Sequence, residues 1–495
     1  MCNLFEKLCK ILVYICLSLF ITQNMSSYAA SKFSGVQITV GVQNVSAIGK
    51  PAIEHAKTWE KRTGGKVKIL QHPFKDLFKS FYQSLTQKQP LYDVILFAPG
   101  WAGDFFPYLD ELPDALAEDT SFDDIHPTYR DRLMKWNGRW IAVTVDGDLF
   151  NGYFRKDLFE NKQNRQDFKQ QFNYELNIPE TWKEYHDIAQ FFTGRKDAQG
   201  NLLYGTSEAF AFGGQQFWDI FSRASAYTNH PDHPGAQFFH PETMAPQINN
   251  PGWIRAVTEY VDILQYCPPD AINFDIVKVR EAFISGKTAM ALDWGDIAQI
   301  SADPEKSSIV GKVGFFVLPG TRTVWNIKKQ DWDTMQHPHM APFLAFGGWV
   351  AGVPLNSKHK NAAWDYIMWY TNPKNSLKDV VTSGTGINPY RFTHFTSIDA
   401  WTKALSYQAA SEYLSVLQES LDAPCAALDL RLPGLHRYTR SFEIQLTRAL
   451  KKEITIQAAL NTVAQKWDEI TNELGRHRQL SIYRSSMGLP PLNKK

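Results

Sequence analysis

The chain has 495 residues, with 52 Lys and Arg against 51 Asp and Glu. At 44% hydrophobic and 21% charged, it can bury a real core in two or three domains or two large lobes. That excludes a disordered tail, a collagen-like chain or a repeat polymer. A net charge of +1 argues against a nucleic-acid binder, which carries a basic stripe or excess. The unusual numbers are 15 Trp, 20 Tyr and 32 Phe. Either the core is rich in rings, or some of them form a binding surface.

The first residues read as an export address. Lys7 and Lys10 precede an apolar run from Ile11 to Ile21, and Ser27-Tyr28-Ala29 supplies small residues for cleavage. That run is shorter than the roughly 20 residues needed to span a bilayer. Residues 1–29 are therefore expected to be a signal peptide. Its removal takes away Glu6, Lys7 and Lys10 and leaves a formally neutral chain. Cys2, Cys9 and Cys16 leave with it. Cys267 and Cys425 remain, as one disulfide or as two buried free thiols. No Cys/His spacing suggests zinc, and His337-Pro338-His339 reads as a loop.

Further along, Val36–Val40 alternates as a strand. Residues 51–63 read as a helix with Pro51 in its first turn, and Lys66–Leu70 as a second strand. Phe74, Leu77, Phe78 and Phe81 form a helical stripe expected to pack on a sheet, and Tyr92–Phe97 is a third strand. This β-α-β-α-β order predicts an α/β lobe with a largely parallel sheet. Its site loops would lie beyond the strand ends, at 41–46 and 98–104. Strands are expected at 139–145 and 149–154. A helix at 179–193 opens on a capping box of Thr181 and Glu184. Residues 226–250 read as a long surface loop, 251–266 as a helix and Val313–Leu318 as a strand. An irregular stretch at 319–342 precedes a strand through Gly347–Val353. Helices at 404–420 and 441–472 lead to a polar tail.

Five segments, in order, carry a resemblance: Tyr153–Phe159 (YFRKDLF), Pro179–Glu184 (PETWKE), Phe283–Met290 (FISGKTAM) with Trp294, Gly347-Gly348-Trp349, and Gly386–Pro389 before Arg391. In this order the chain resembles the extracellular solute-binding proteins of ATP-driven importers, the group that includes maltose-binding protein. The resemblance implies a two-lobed α/β periplasmic-binding-protein fold of type II, each lobe a mixed sheet flanked by helices. The first lobe would hold 31–142 and 347–388, and the second 148–343 and 393–475, with a tail at 476–495. Three crossings, near 143–147, 344–348 and 387–392, would form a hinge.

It also implies a monomeric periplasmic receptor that closes on a sugar and delivers it to a membrane permease powered by an ATPase, without chemistry, cofactor or metal. A sugar presents C–H faces to aromatic rings and hydroxyls to carboxylates, amides and arginines. Loops offering that combination point to Trp101, Asp146, Asp148, Asp293, Trp294, Gly348, Trp349, Asn388, Arg391, Arg431 and Tyr438. Gln215, beside Gly213 and Gly214, is a weaker candidate. Trp294→Ala is expected to weaken sugar binding with little loss of Tm. The rivals are a receptor for a non-sugar solute (a polyol, a phosphorylated compound, a metal ion or a peptide-like ligand) and a secreted glycoside hydrolase, which would need two carboxylates flanking the scissile bond.

Overall fold

The computed structural model describes residues 32–213 and 215–492; the signal-peptide reading lies outside them. The first layer is the predicted one. Strand β1 (Gln37–Gln43), helix α1 (Ser46–Thr63), β2 (Lys66–His72), α2 (Phe74–Leu85) and β3 (Val94–Phe97) follow in sequence. β1 pairs in parallel with both β2 and β3. Helix α1 begins earlier than the proline suggested, so Pro51 sits inside it, and Gly64 in the left-handed region ends it.

The chain then leaves this sheet. The span 139–145 holds two short strands, Arg139–Trp140, which pairs with Lys135–Trp136, and β4 (Val143–Thr144), with a break at 141–142. Beyond it, β5 (Asn151–Arg155) starts a second sheet. Helix α3 (Trp182–Phe192) opens on the predicted capping box: Glu184 N–H donates to Thr181 Oγ1 at 3.3 Å and Thr181 N–H to Glu184 Oε2 at 3.1 Å. Helices α4 (Gln216–Thr228), α5 (Pro251–Ile263) and α6 (Ile276–Ile284) follow, then β6 (Met290–Asp293), the short α7 (Asp296–Ile300) and β7 (Val313–Phe316). β5 lies between β6 and β7, antiparallel to both, with Asn151 opposite Asp293 and Gly152 opposite Phe316.

The stretch at 319–342 is not irregular. Its polar composition hid an antiparallel ribbon, β8 (Thr321–Asn326) and β9 (Asp331–His339), with Trp325 opposite Trp332. The chain returns to the first sheet at β10 (Val350–Gly352), antiparallel to β3 and β4, giving the order β2-β1-β3-β10-β4. Helices α8 (Lys360–Thr371), α9 (Pro373–Val380) and α10 (Tyr407–Asp422) come next. The span 441–472 is two helices, α11 (Leu435–Leu450) and α12 (Ile456–Glu473), broken at 451–455.

The expected polar tail contains another helix, α13 (Arg476–Ser486). Its Gln479, Leu480 and Tyr483 are buried. Tyr483 donates to the Gly235 carbonyl at 2.6 Å, and Gln479 to the Pro433 carbonyl at 3.0 Å. Cys267, buried at the end of α5, and Cys425 are both free thiols, which removes the disulfide alternative. Among the described residues no helix is long and apolar enough to cross a membrane.

The aromatic excess divides. Trp59, Trp182, Trp253, Trp364, Trp401 and Trp467 are among the largest fully buried side chains. Another group gathers around a cavity between the two sheets.

Candidate functional site: a cleft between two sheets

Three chain segments meet on the cleft floor. Val145 N–H donates to the Trp349 carbonyl at 2.8 Å, and Gly147 N–H to the Asn388 carbonyl at 3.2 Å. Asn388 N–H returns to Asp146 Oδ1 at 2.7 Å, and its side-chain amide donates to Asp148. This close approach explains the glycines. A Cβ on Gly348 would collide with the Asp146 carbonyl, and one on Gly147 with the Pro389 carbonyl. Phe346, Gly347 and Gly348 all have positive φ, at 70°, 69° and 79°. For a bulky Phe this is a strained conformation, held only where the surroundings enforce it.

Above this floor lies a cavity of about 530 Å³, within the roughly 300–1,000 Å³ usual for small-molecule sites. Phe74, Trp218, Trp294, Phe346 and Trp349 line it. The rings meet edge to face: Trp218 to Trp294 at 5.6 Å and 81°, Trp218 to Phe346 at 5.1 Å and 87°, Phe74 to Trp349 at 6.2 Å and 83°. Two indole N–H groups are already used. Trp218 donates to Asp429 at 3.0 Å and Trp294 to the Ala345 carbonyl at 3.1 Å.

The polar lining is acidic. Asp146, Asp148 and Asp296 face the cavity with Arg280. Arg280 donates to both oxygens of Asp293, at 2.6 and 3.1 Å, and reaches Asp296 at 2.9 Å. Burial works against the guanidinium charge, but these two carboxylates outweigh it and hold the group above its ordinary range. Burial, only partly offset by the Asn388 amide, lifts Asp146 to about 7. Burial, then Asp146 and Asp296, push Asp148 well above the carboxylate range. Among the described residues, no group of three His, Cys, Asp or Glu is placed to hold a metal ion.

The structure brings together Trp294, Trp349, Asp146 and Asp148 on the cavity wall, with Gln215. Gly348 and Asn388 shape the floor beneath them, and Asp293 sits behind Arg280. Four other candidates lie elsewhere. Trp101 packs on Phe74, Phe78 and Phe105 beneath the wall. Arg391 is fully buried and donates to the Ser121 and Thr371 carbonyls, so it fastens backbone. Arg431 donates to the Arg132 and Lys135 carbonyls, away from the cleft. Tyr438 bonds Thr471 and Gln479 inside the helical layer. Sequence reasoning missed Phe74, Trp218, Arg280, Phe346 and Gln299 as lining residues. Trp294 is 6% exposed and also packs on Phe150. Its truncation therefore disturbs the core too, against the expectation of a spared Tm.

The family model of bacterial extracellular solute-binding protein matches residues 43–376. The chain belongs to that family. A mannitol-binding protein of Pseudomonas aeruginosa is 25% identical over 336 residues, 67% of this chain and 64% of its own length. An ABC-transporter solute-binding protein of Agrobacterium radiobacter K84, solved with ribitol, superimposes with a TM-score of 0.70 at 21% identity. It covers 89% of this chain and 100% of its own. A maltose-bound T. maritima protein gives 0.68 at 20% identity, covering 88% and 100%. This solute-binding protein therefore has the two-lobed α/β fold of the periplasmic receptors. Its cavity lies between two sheets, and crevices of that kind in α/β folds commonly take small molecules.

Proposed function

We propose that this protein is the periplasmic substrate-binding component of an ATP-driven importer, that it captures a carbohydrate or polyol in the cleft, and that it hands the ligand to a membrane permease. The observation that carries this reading is the cavity wall. Five aromatic rings offer apolar faces, and carboxylates and amides offer partners for hydroxyls at their edges. Relatives named for mannitol and crystallised with ribitol or maltose support the same ligand class.

The proposed lobes are 31–142 with 347–388, and 148–343 with 393–475, joined by the three segments on the cleft floor. Trp294, Trp349, Asp146 and Asp148 touch the ligand together with Phe74, Trp218 and Arg280. Gly348 and Asn388 set the floor. Ligand contacts made better in the closed form shift the population towards it. No bond of the ligand is broken. The chain acts as an exported monomer once residues 1–29 are removed.

A thermal-shift screen across sugars, polyols, phosphorylated sugars and divalent metals tests this. A true ligand at 100-fold its Kd adds about 2.7 kcal/mol. Stabilisation by metals or phosphates alone, or turnover of chromogenic glycosides, overturns the proposal.

A further inference from the structure

The cleft accepts more hydrogen bonds than it donates. Beside Asp146, Asp148 and Asp296, Gln215 and Gln299 line the cavity, and the Oε1 atom of each is buried without a partner. Gln299 is 5% exposed, and its NH₂ is taken by the Val380 carbonyl at 2.8 Å. The cations facing these acceptors are Arg280 and Lys306. Arg280 already pairs with Asp293 through Nε and Nη2 and with Asp296 through Nη2, which leaves its Nη1 as a donor. Lys306 lies at the rim, 3.1 Å from Asp303. Asp146 and Asp148 are 1% and 8% exposed. They hydrogen-bond to each other and accept from the Asn388 backbone and side-chain amides. Among the described residues neither forms an ion pair. Without a cation, burial keeps protons on this carboxyl pair; a positive group between them would favour their ionised form and pair with it.

A ligand hydroxyl brings one donor and two lone pairs, whereas an ammonium brings three donors and no acceptor. The wall offers Arg280, Lys306 and the Gln43 and Gln215 amides as donors, and a larger set of carboxyl and amide oxygens as acceptors. Aromatic faces around such a group add a cation–π attraction.

We infer that the ligand is a carbohydrate or polyol bearing a charged amine, and that this amine docks on Asp146 and Asp148 while the carbon skeleton lies on the rings of Trp218, Trp294 and Trp349. The inference rests on the carbohydrate reading above and narrows it.

Matched pairs test it by titration calorimetry on the purified protein: D-glucosamine against D-glucose, D-galactosamine against D-galactose, and 1-amino-1-deoxysorbitol against sorbitol. At least one amine is expected to bind tenfold or more tighter than its hydroxyl partner. Asp148→Asn, checked by its melting curve, is expected to bring that ratio to within about twofold. Gln299→Leu, which leaves both carboxylates in place, is expected to lower the ratio partway and serves if the Asn variant does not fold. Neutral members binding as tightly or tighter overturn the inference and leave the carbohydrate reading standing. Binding of tetramethylammonium alone, with every sugar and polyol silent, overturns the carbohydrate reading instead. Silence from all of them overturns both.

Discussion

Two buried acidic sites in this protein are handled in opposite ways. In the second sheet's helical layer, Glu208 meets Arg223 at 2.9 Å, both side chains essentially without exposure, and the guanidinium lies 4.1 Å from the Trp182 ring. On the cleft floor, Asp146 and Asp148 are buried almost as deeply, bond to each other and to the Asn388 amides, and among the described residues form no ion pair. The same helix, α4, serves both: Arg223 points into the core, and Trp218, five residues earlier, lines the cavity. Burial alone does not mark a site. What distinguishes the cleft is a buried carboxyl pair without a cationic partner, its proton affinity raised, beside an empty volume walled by rings.

Breaking the compensated pair has the largest expected effect. Arg223→Ala strands Glu208 and should lower the unfolding free energy by about 3–5 kcal/mol in a denaturant titration. Ligand Kd in the folded fraction should stay within twofold. A tenfold change in Kd would erase the distinction between the two sites. Next is Trp294→Ala, expected to cost about 1–3 kcal/mol of binding, seen as at least a tenfold rise in Kd, together with a lower Tm. Trp294→Phe separates the two, keeping most of the stability while losing part of the affinity.

The uncompensated pair makes a pH prediction of smaller size. Its folded-state proton affinity is raised, so between about pH 4 and pH 7 the ligand-free folded protein holds more protons than the unfolded chain. The stability this contributes is full below the ordinary carboxylate range and is lost as pH rises through about 7. Asp148→Asn should flatten that decline and raise stability at pH 8 by about 1–3 kcal/mol. A melting profile with unchanged slope counts against it. The smallest effect is expected for Tyr438→Phe, which removes a hydroxyl far from the cleft: about 1 kcal/mol of stability and no change in Kd.

The alternating strands, the capping box and the export-like order of motifs made the α/β layers readable in the sequence. The glycines beside Trp349 and the Asp-Gly-Asp at 146–148 marked the floor, because close backbone approach leaves a glycine signature. Phe74 was hidden by its own helical stripe. It shares the spacing of Leu77 and Phe81, which are core, and only its place at the start of α2, just beyond β2, distinguished it. Trp218 lay three residues past the Gln215 candidate, in the first turn of α4. Arg391 and Arg431 misled because an arginine that fastens backbone carbonyls and one that grips a ligand are the same letter. The ribbon at 321–339 was obscured by solvent-facing polar residues, and α13 by a charge pattern whose buried face is only Gln479, Leu480 and Tyr483.

The three-way bonding of Asn388 has a mechanical consequence. Its backbone N–H holds Asp146, its side chain holds Asp148, and its Oδ1 accepts from Tyr413 on α10 at 3.0 Å. The carboxyls proposed to hold the ligand thus also tie the floor segments together. In the proposed receptor, a guest held by Asp146 or Asp148 would pull on the same atoms that bind the floor segments to one another, with no relay of intervening residues.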